Sequence, residues 1–405
     1  MYKDQAYKLL LERFRGERRF IQVLSGPRET GKTTLVRKLL DEIALLKWYV
    51  TAEGRAGRDL PWLEMQWRNG RAKVEINRIR NRGLLVIEEI ERIPGWAETV
   101  QRLWDEDTAA GMNLHVLVVG SSSLSMEQGL TENLAGRFEL IPITPGLFPE
   151  MAATFGMTLN QYLYYGGYPE GADLMKSPKR WIRYINDLLV ETSISRDILQ
   201  TTRVDKPSLL HDLLAIACDN SCQILSYRNL LARLPAAGNT TTLAHYLRLL
   251  QGAGLAAGLP KYAGPGEETA ADEGNYRQRG SSPKLLALNT ALITARADQD
   301  FDLARTDPDL WGRVMETAVG AHCIHAAAGT DISVYYWAGQ NREVDFVLAR
   351  GKELAALEVV TDRRKQTASG LELFCRLYPV QRRHIIGLAG LPLDAFFRTP
   401  LADLF

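Results

Sequence analysis

Residues 84–87 are apolar without alternation, and 21–24 and 115–119 are apolar but for Gln22 and His115. Strands buried on both faces read this way, and such strands belong to parallel sheets. Shorter runs at 48–51 and 139–143 read as further strands. Between the runs the apolar spacing changes to three and four. Residues 4–14, 32–46 and 96–110 therefore predict helices. Residues 55–83, rich in arginine and holding Trp62 and Trp67, predict helices on a solvated, basic face. Strands alternating with helices predict an α/β domain over 1–150. The stretch 145–150, Pro-Gly-Leu-Phe-Pro-Glu, punctuates its end. A helical segment covers 151–206, with one long helix over 178–202. Residues 207–260 give three short helical patterns. The last opens at Asn239, carries Leu243, Tyr246, Leu247 and Leu250 on one face, and leads into the first strand of a wing. Residues 261–282 are poor in apolar residues and predict a flexible loop. Residues 283–405 predict a last α/β domain, with a helix around Glu316, strands at 333–337 and 354–360, and a hairpin at 342–348.

The chemistry collects where the apolar runs end. The first run passes into Gly26-Pro27-Arg28-Glu29-Thr30-Gly31-Lys32-Thr33-Thr34 and then a helix, the strand–loop–helix setting of a P-loop. Glycines let the backbone turn its N–H groups toward phosphate oxygens. Lys32 supplies a positive charge for the β- and γ-phosphates, and Thr33 a hydroxyl for Mg²⁺. The helix behind them offers its N-terminal dipole to the same anion. The second run ends in Glu88-Glu89. An acid at this place holds Mg²⁺ through water, and a second acid orients the attacking water. Glu88 takes the first role and Glu89 the second, although an Asp is commoner than Glu88. The third run ends in Ser121-Ser122-Ser123, where Ser121 is placed to sense the γ-phosphate. Arg137, before the strand at 139–143, is a candidate arginine finger for its own site or a neighbour's; the alternative is a pair with a surface acid.

Composition sets bounds on partners. A net charge of +1 creates no overall field for nucleic acid, so any such surface is a local patch. No apolar run approaches the roughly 18 residues of a spanning helix. The charged amphipathic start does not read as a signal peptide. Four cysteines without ligand spacing are expected as core residues in a reducing cytoplasm.

Taken in order, GPRETGKTT, LLVIEEI, VVGSSS, LAGRFELIPITP, YYGGYPE, ISRDIL and REVDFVL with ALEV resemble a group of prokaryotic predicted ATPases of the AAA+ superfamily, close to its signal-transducing branch. The resemblance covers nearly the whole chain. It implies a P-loop NTPase parallel sheet with a helical lid, a winged-helix middle domain and a C-terminal restriction-endonuclease-like domain. It makes residues 26–33 the Walker A loop, Glu88 and Glu89 the Walker B acids, and Ser121 a sensor. Arg137 matches the family's Gly-Arg. Tyr168 and Pro169 match a motif whose proline packs near adenine.

The nuclease-like resemblance implies a second acidic set: Glu316 on a helix, Asp345 on one strand and Glu358 on the next. Such carboxylates could hold Mg²⁺ for phosphodiester hydrolysis. The position of the expected lysine is Val360, and Lys365 lies five residues further, so the expectation is a degenerate, non-cleaving domain. The favoured function is an ATP-hydrolysing switch using ATP and Mg²⁺, with ATP bound between the P-loop domain and the lid. An ATP-gated nuclease and a non-catalytic nucleotide-bound adaptor stay open as alternatives. The expected partners are ATP or ADP and a protein or second copy of the chain; no membrane is expected. DNA binding, where present, is expected to be weak and non-specific. The helix opened by Asn239 shows only Arg248, with Lys261 in the wing, besides Arg228 and Arg233.

Overall fold

The computed structural model describes residues 3–54, 59–76, 81–121, 124–264, 280–297, 299–361 and 369–405. It divides into Met1–Thr144 with Thr192–Val204, and Pro145–Glu191 with Asp205–Phe405. Ser122, Ser123, most of the loop expected at 261–282, and Lys365 lie outside the described residues.

In the first unit, β1 (Ile21–Ser25), β2 (Leu46–Thr51), β3 (Gly83–Glu88), β4 (Leu114–Gly120) and β5 (Phe138–Pro142) form one sheet in the order β2-β3-β4-β1-β5. Every pairing is parallel. Alternate residues of the three central strands serve two cores. Ile21, Val23, Leu85, Ile87, Val116 and Val118 face a cluster with Leu63, Trp67, Trp96, Val100 and Trp104. Leu24, Leu84, Val86, Leu117 and Val119 face a cluster with Leu10, Phe14, Leu35 and Leu39. Helices cover both faces, which is why β1, β3 and β4 are buried along their whole length and lack a polar side.

Two expectations need correction here. The helix after the P-loop is Lys32–Glu42, not 32–46, because Leu46 is already paired with Gly83 in β2. The helix Leu60–Ile76 is not a merely solvated surface element. Trp67 is fully buried in it, and its indole N–H donates to Asp107 at 2.8 Å. Arg71 pairs with the same Asp107 at 2.6 Å, so part of the basic face is tied down.

The second unit begins with short helices, among them Phe148–Phe155, Leu159–Tyr165 and Pro169–Asp173. The long helix expected over 178–202 is helical without a break from 178 to 198, α-helical at Pro178–Arg183 and π-helical in two stretches, Tyr184–Val190 and Ser193–Ile198. The last of these belongs to the first unit. Helices Ser208–Asp219, Tyr227–Arg233 and Thr240–Gly252 follow, then β6 (Ala256–Leu259). Asn239 caps the third helix as expected, its side chain accepting from Thr242 N at 2.8 Å. Such a cap satisfies one of the helix's orphan N–H groups. The partner of β6 is β7 (Lys284–Ala287), antiparallel to it. Residues 284–287, expected in the C-terminal domain, therefore close this hairpin instead.

Helix Pro308–Ala327 packs on a second sheet made of β8 (Ile332–Gly339), β9 (Arg342–Arg350), β10 (Glu353–Val360) and β11 (Arg382–Gly387), in the order β11-β10-β9-β8. β8 and β9 join through Gln340-Asn341, with φ of 51° and 58°. Two consecutive positive φ values make the hairpin turn whose twist suits antiparallel strands. All four cysteines are free thiols, three of them buried.

Candidate nucleotide-binding site

The parallel register brings three strand ends to one edge: Ser25 lies beside Gly120, and Glu88 beside Val119. The loops leaving β1, β3 and β4 therefore share one site. Gly26 is forced by space, since a Cβ there would sit 1.9 Å from the Ile143 carbonyl oxygen. Gly31 is forced by backbone, with φ of 82° just before the helix. Thr30 is fully buried and its hydroxyl donates to the Pro27 carbonyl at 2.8 Å, which pins the loop from inside. The Lys32 ammonium is folded back onto the loop, donating to Gly26 O at 2.7 Å and Pro27 O at 2.6 Å. Loss of water around it lowers its pKa, while Glu89, Asp197 and Glu91 pull the other way. A phosphate oxygen would replace those two carbonyls as acceptor.

Glu88 is 7% exposed at the end of β3 and accepts from the Tyr49 hydroxyl at 2.6 Å. Burial raises its pKa; the Tyr49 and Thr33 hydroxyls oppose this. Thr33 and Glu88 thus face each other, as the two protein groups of a P-loop magnesium site do. Glu89 follows with φ of 58°. That is a strained value for a glutamate. It is fixed by the Glu89 N–H donating to Val119 O at 2.7 Å. The Glu89 carboxylate is held by Arg92 Nε at 2.9 Å and lies 3.5 Å from Arg28 Nη2.

Arg28, Arg92, Glu91 and Asp197 complete the site, and only Arg28 was expected in it, as a loop position. Asp197 arrives from Thr192–Val204 and pairs with Arg28 Nε at 2.7 Å. Gln200, from the same segment, accepts from Arg92 at 2.6 Å. Glu91 is 5% exposed and accepts from both the N–H and the hydroxyl of Ser121, each at 2.7 Å. Burial and the nearby Glu89 push its carboxyl up, against the two Ser121 bonds. Ser121 is therefore at the site, engaged by a carboxylate. A hint was present in the letters: Asp197 just before Ile198-Leu199, and a third glutamate at 91.

Several polar atoms here are buried without a hydrogen bond: Arg28 Nη2, Asp197 Oδ2 and Glu91 Oε2. Buried polar atoms are nearly always satisfied, and each exception calls for an explanation such as a ligand or ion. Loop donors beside a guanidinium nitrogen with no hydrogen bond of its own fit a nucleotide phosphate with its magnesium.

Arg137 is at the opposite, amino-terminal edge of the sheet, where its carbonyl accepts from Ile21 N at 2.9 Å. Its guanidinium pairs with Asp105 through bonds of 2.9 and 3.0 Å, so it does not reach the P-loop of its own domain. Tyr168 and Pro169 open a short helix in the second unit. Glu316 and Asp345 do come together, but around Lys284: the ammonium is 3.0 Å from Glu316, 2.8 Å from Glu343 and 3.1 Å from Asp345. Glu358 lies beside them, its carboxyl pushed up by burial and by Asp345. Among the described residues, no three His, Cys, Asp or Glu side chains are disposed to hold a metal ion. No described helix is long and apolar enough to cross a membrane.

One family match agrees with this fold. Residues 18–152 match the family AAA_14, an AAA domain. Residues 157–302 and 311–391 match two domains of unknown function, DUF8612 and DUF4143. No curated protein is significantly similar to the chain. Among solved structures, the Thermotoga maritima RuvB Holliday junction branch migration motor is 18% identical, with 64% of this chain and 90% of that chain covered and a TM-score of 0.32. A variant of the same motor, T158V, is 18% identical, with 63% and 88% covered and a TM-score of 0.30. These two likenesses are loose. Residues 18–152 are thus an AAA domain built on the parallel five-stranded sheet with the P-loop at its edge, and the rest of the chain matches domains of unknown function.

Proposed function

We propose that the protein is an ATP-binding and ATP-hydrolysing switch. The observation that carries this reading is the buried, unsatisfied polar set at the P-loop, with Lys32 parked on loop carbonyls, Thr33 facing Glu88, and Glu89 clamped by arginines. Lys32 and the loop N–H groups hold the phosphates. Thr33 and Glu88 hold Mg²⁺, which when bound offsets phosphate charge. Glu89 positions the water and takes its proton. Arg28 reaches both Glu89 and Asp197, so a change at the phosphates shifts charge between the acid and the segment Thr192–Val204. That segment continues into the second unit at both ends. Nucleotide state is then transmitted along the chain to the helices 208–252 and their hairpin, which we read as a winged helix, and to the C-terminal sheet.

Glu89→Gln tests the assignment. It should keep ATP binding and slow turnover by roughly 10²–10⁴-fold, the usual worth of a positioned base. Wild-type turnover in this variant would remove Glu89 from the role and pass it to Glu88.

A further inference from the structure

Lys284 is 1% exposed, and β7 is buried along its length. A lysine is rarely buried so deeply unless its charge is answered. Here the answer is complete. Its ammonium has three N–H donors. Three carboxylate oxygens stand within 3.1 Å: Glu316 Oε1, Glu343 Oε1 and Asp345 Oδ1. They come from two elements, helix Pro308–Ala327 and strand β9. The other oxygen of Asp345 accepts from Val359 N at 2.8 Å, so this carboxylate is oriented by β10 before it meets the ammonium. The Phe346 ring centre lies 5.1 Å away and closes an apolar side over the charge. Three of the oxygens that a divalent ion would use are therefore already turned onto Nζ, and of the expected acids only Glu358, whose buried Oε2 has no hydrogen bond, is not.

We infer that the Lys284 ammonium is the resident cation of this carboxylate cluster, so the C-terminal sheet carries a built-in substitute for a divalent metal and takes none as folded. The lysine missing at Val360 is then not restored by another route to hydrolysis. Lys284 instead fastens the β6–β7 hairpin to the helix and strand that hold the acids. Hairpin and C-terminal sheet move as one piece. This inference stands apart from the ATPase reading and survives its failure.

The test is Mn²⁺ binding to the nucleotide-free full-length protein, followed by electron paramagnetic resonance, beside a Mn²⁺-dependent DNA cleavage assay. Lys284→Met keeps the aliphatic stem and removes the charge. The expected result is no Mn²⁺ on the wild type at this cluster and one Mn²⁺ gained by Lys284→Met. That ion should be lost again when Asp345→Asn is added. A folded Lys284→Met that takes up no Mn²⁺ would overturn the inference. So would a wild-type Mn²⁺ site abolished by Asp345→Asn, or DNA cleavage that Lys284→Met destroys; either would show Lys284 working beside a metal. Should Lys284→Met not fold, the wild type decides alone: no Mn²⁺ sensitive to Asp345→Asn supports the inference, and such a site refutes it.

Discussion

Replacing Glu91 by glutamine should stabilise the protein at neutral pH and do little in acid. Glu91 is 5% exposed, and its carboxyl is pushed up to about 7 from the ordinary 4.5. A raised acid pKa means that the folded state keeps a proton which the unfolded state has released. Below pH 4.5 both states hold the proton and Glu91 costs nothing. Between there and about pH 7 the unfolded state gains about 1.36 kcal/mol per pH unit, so the penalty grows to about 3 kcal/mol and then levels off. The glutamine cannot ionise, and its amide oxygen can still accept both Ser121 bonds. The difference between variant and wild type should be near zero at about pH 4.5 and rise to about 3 kcal/mol by about pH 7.5. For a unit of about 150–250 residues, about 2–4 °C accompanies each kcal/mol. The expected gain is therefore roughly 6–12 °C in the melting transition of the first unit, followed by calorimetry across that pH range. A gain that does not change with pH, or a variant less stable than wild type at neutral pH, would show that burial does not hold the Glu91 proton.

Three further outcomes follow from the same geometry. Asp197→Asn keeps the side chain's size but frees the charge of Arg28, so ATP affinity should rise several-fold in a fluorescent-nucleotide titration; an unchanged affinity would put Asp197 outside the nucleotide's field. Arg137→Ala should leave turnover nearly unchanged, because Arg137 sits with Asp105 at the far edge of the sheet. A fall by roughly the 10³–10⁵ of a lost finger would mean that Arg137 serves a neighbouring copy. Labelled duplexes of different sequence should bind alike or not at all, with affinity falling as roughly the second to fourth power of salt for the few cations near helix Thr240–Gly252; tight, sequence-selective binding in a few tenths molar salt would overturn that reading.

The parallel sheet was legible because burial on both faces leaves a clear trace in residues 84–87 and 115–119, which carry no polar side to alternate with. The P-loop was legible because Gly26 and Gly31 answer to backbone needs that only glycine meets. What the letters hid was long-range pairing. Asp197 reaches back to Arg28, and Lys284 forward to Glu343, each across a stretch of chain longer than any element. No local period records such a contact. Lys284 was also masked by the strand count: β7 was read as the start of a new domain, when its register belongs to β6. Arg137 misled for the opposite reason. An arginine before a strand is well placed for a finger, yet it stands at the wrong end of that strand for its own P-loop.

Whether the P-loop is an ATPase site is decided by phosphate release from Mg²⁺-ATP, compared between wild type and Lys32→Ala, with nucleotide binding followed in parallel. We expect slow, Mg²⁺-dependent turnover by the wild type, and loss of both binding and turnover when the Lys32 ammonium is removed from the loop. A wild type that binds no ATP, or a Lys32→Ala variant that hydrolyses it at the wild-type rate, would contradict the proposed function.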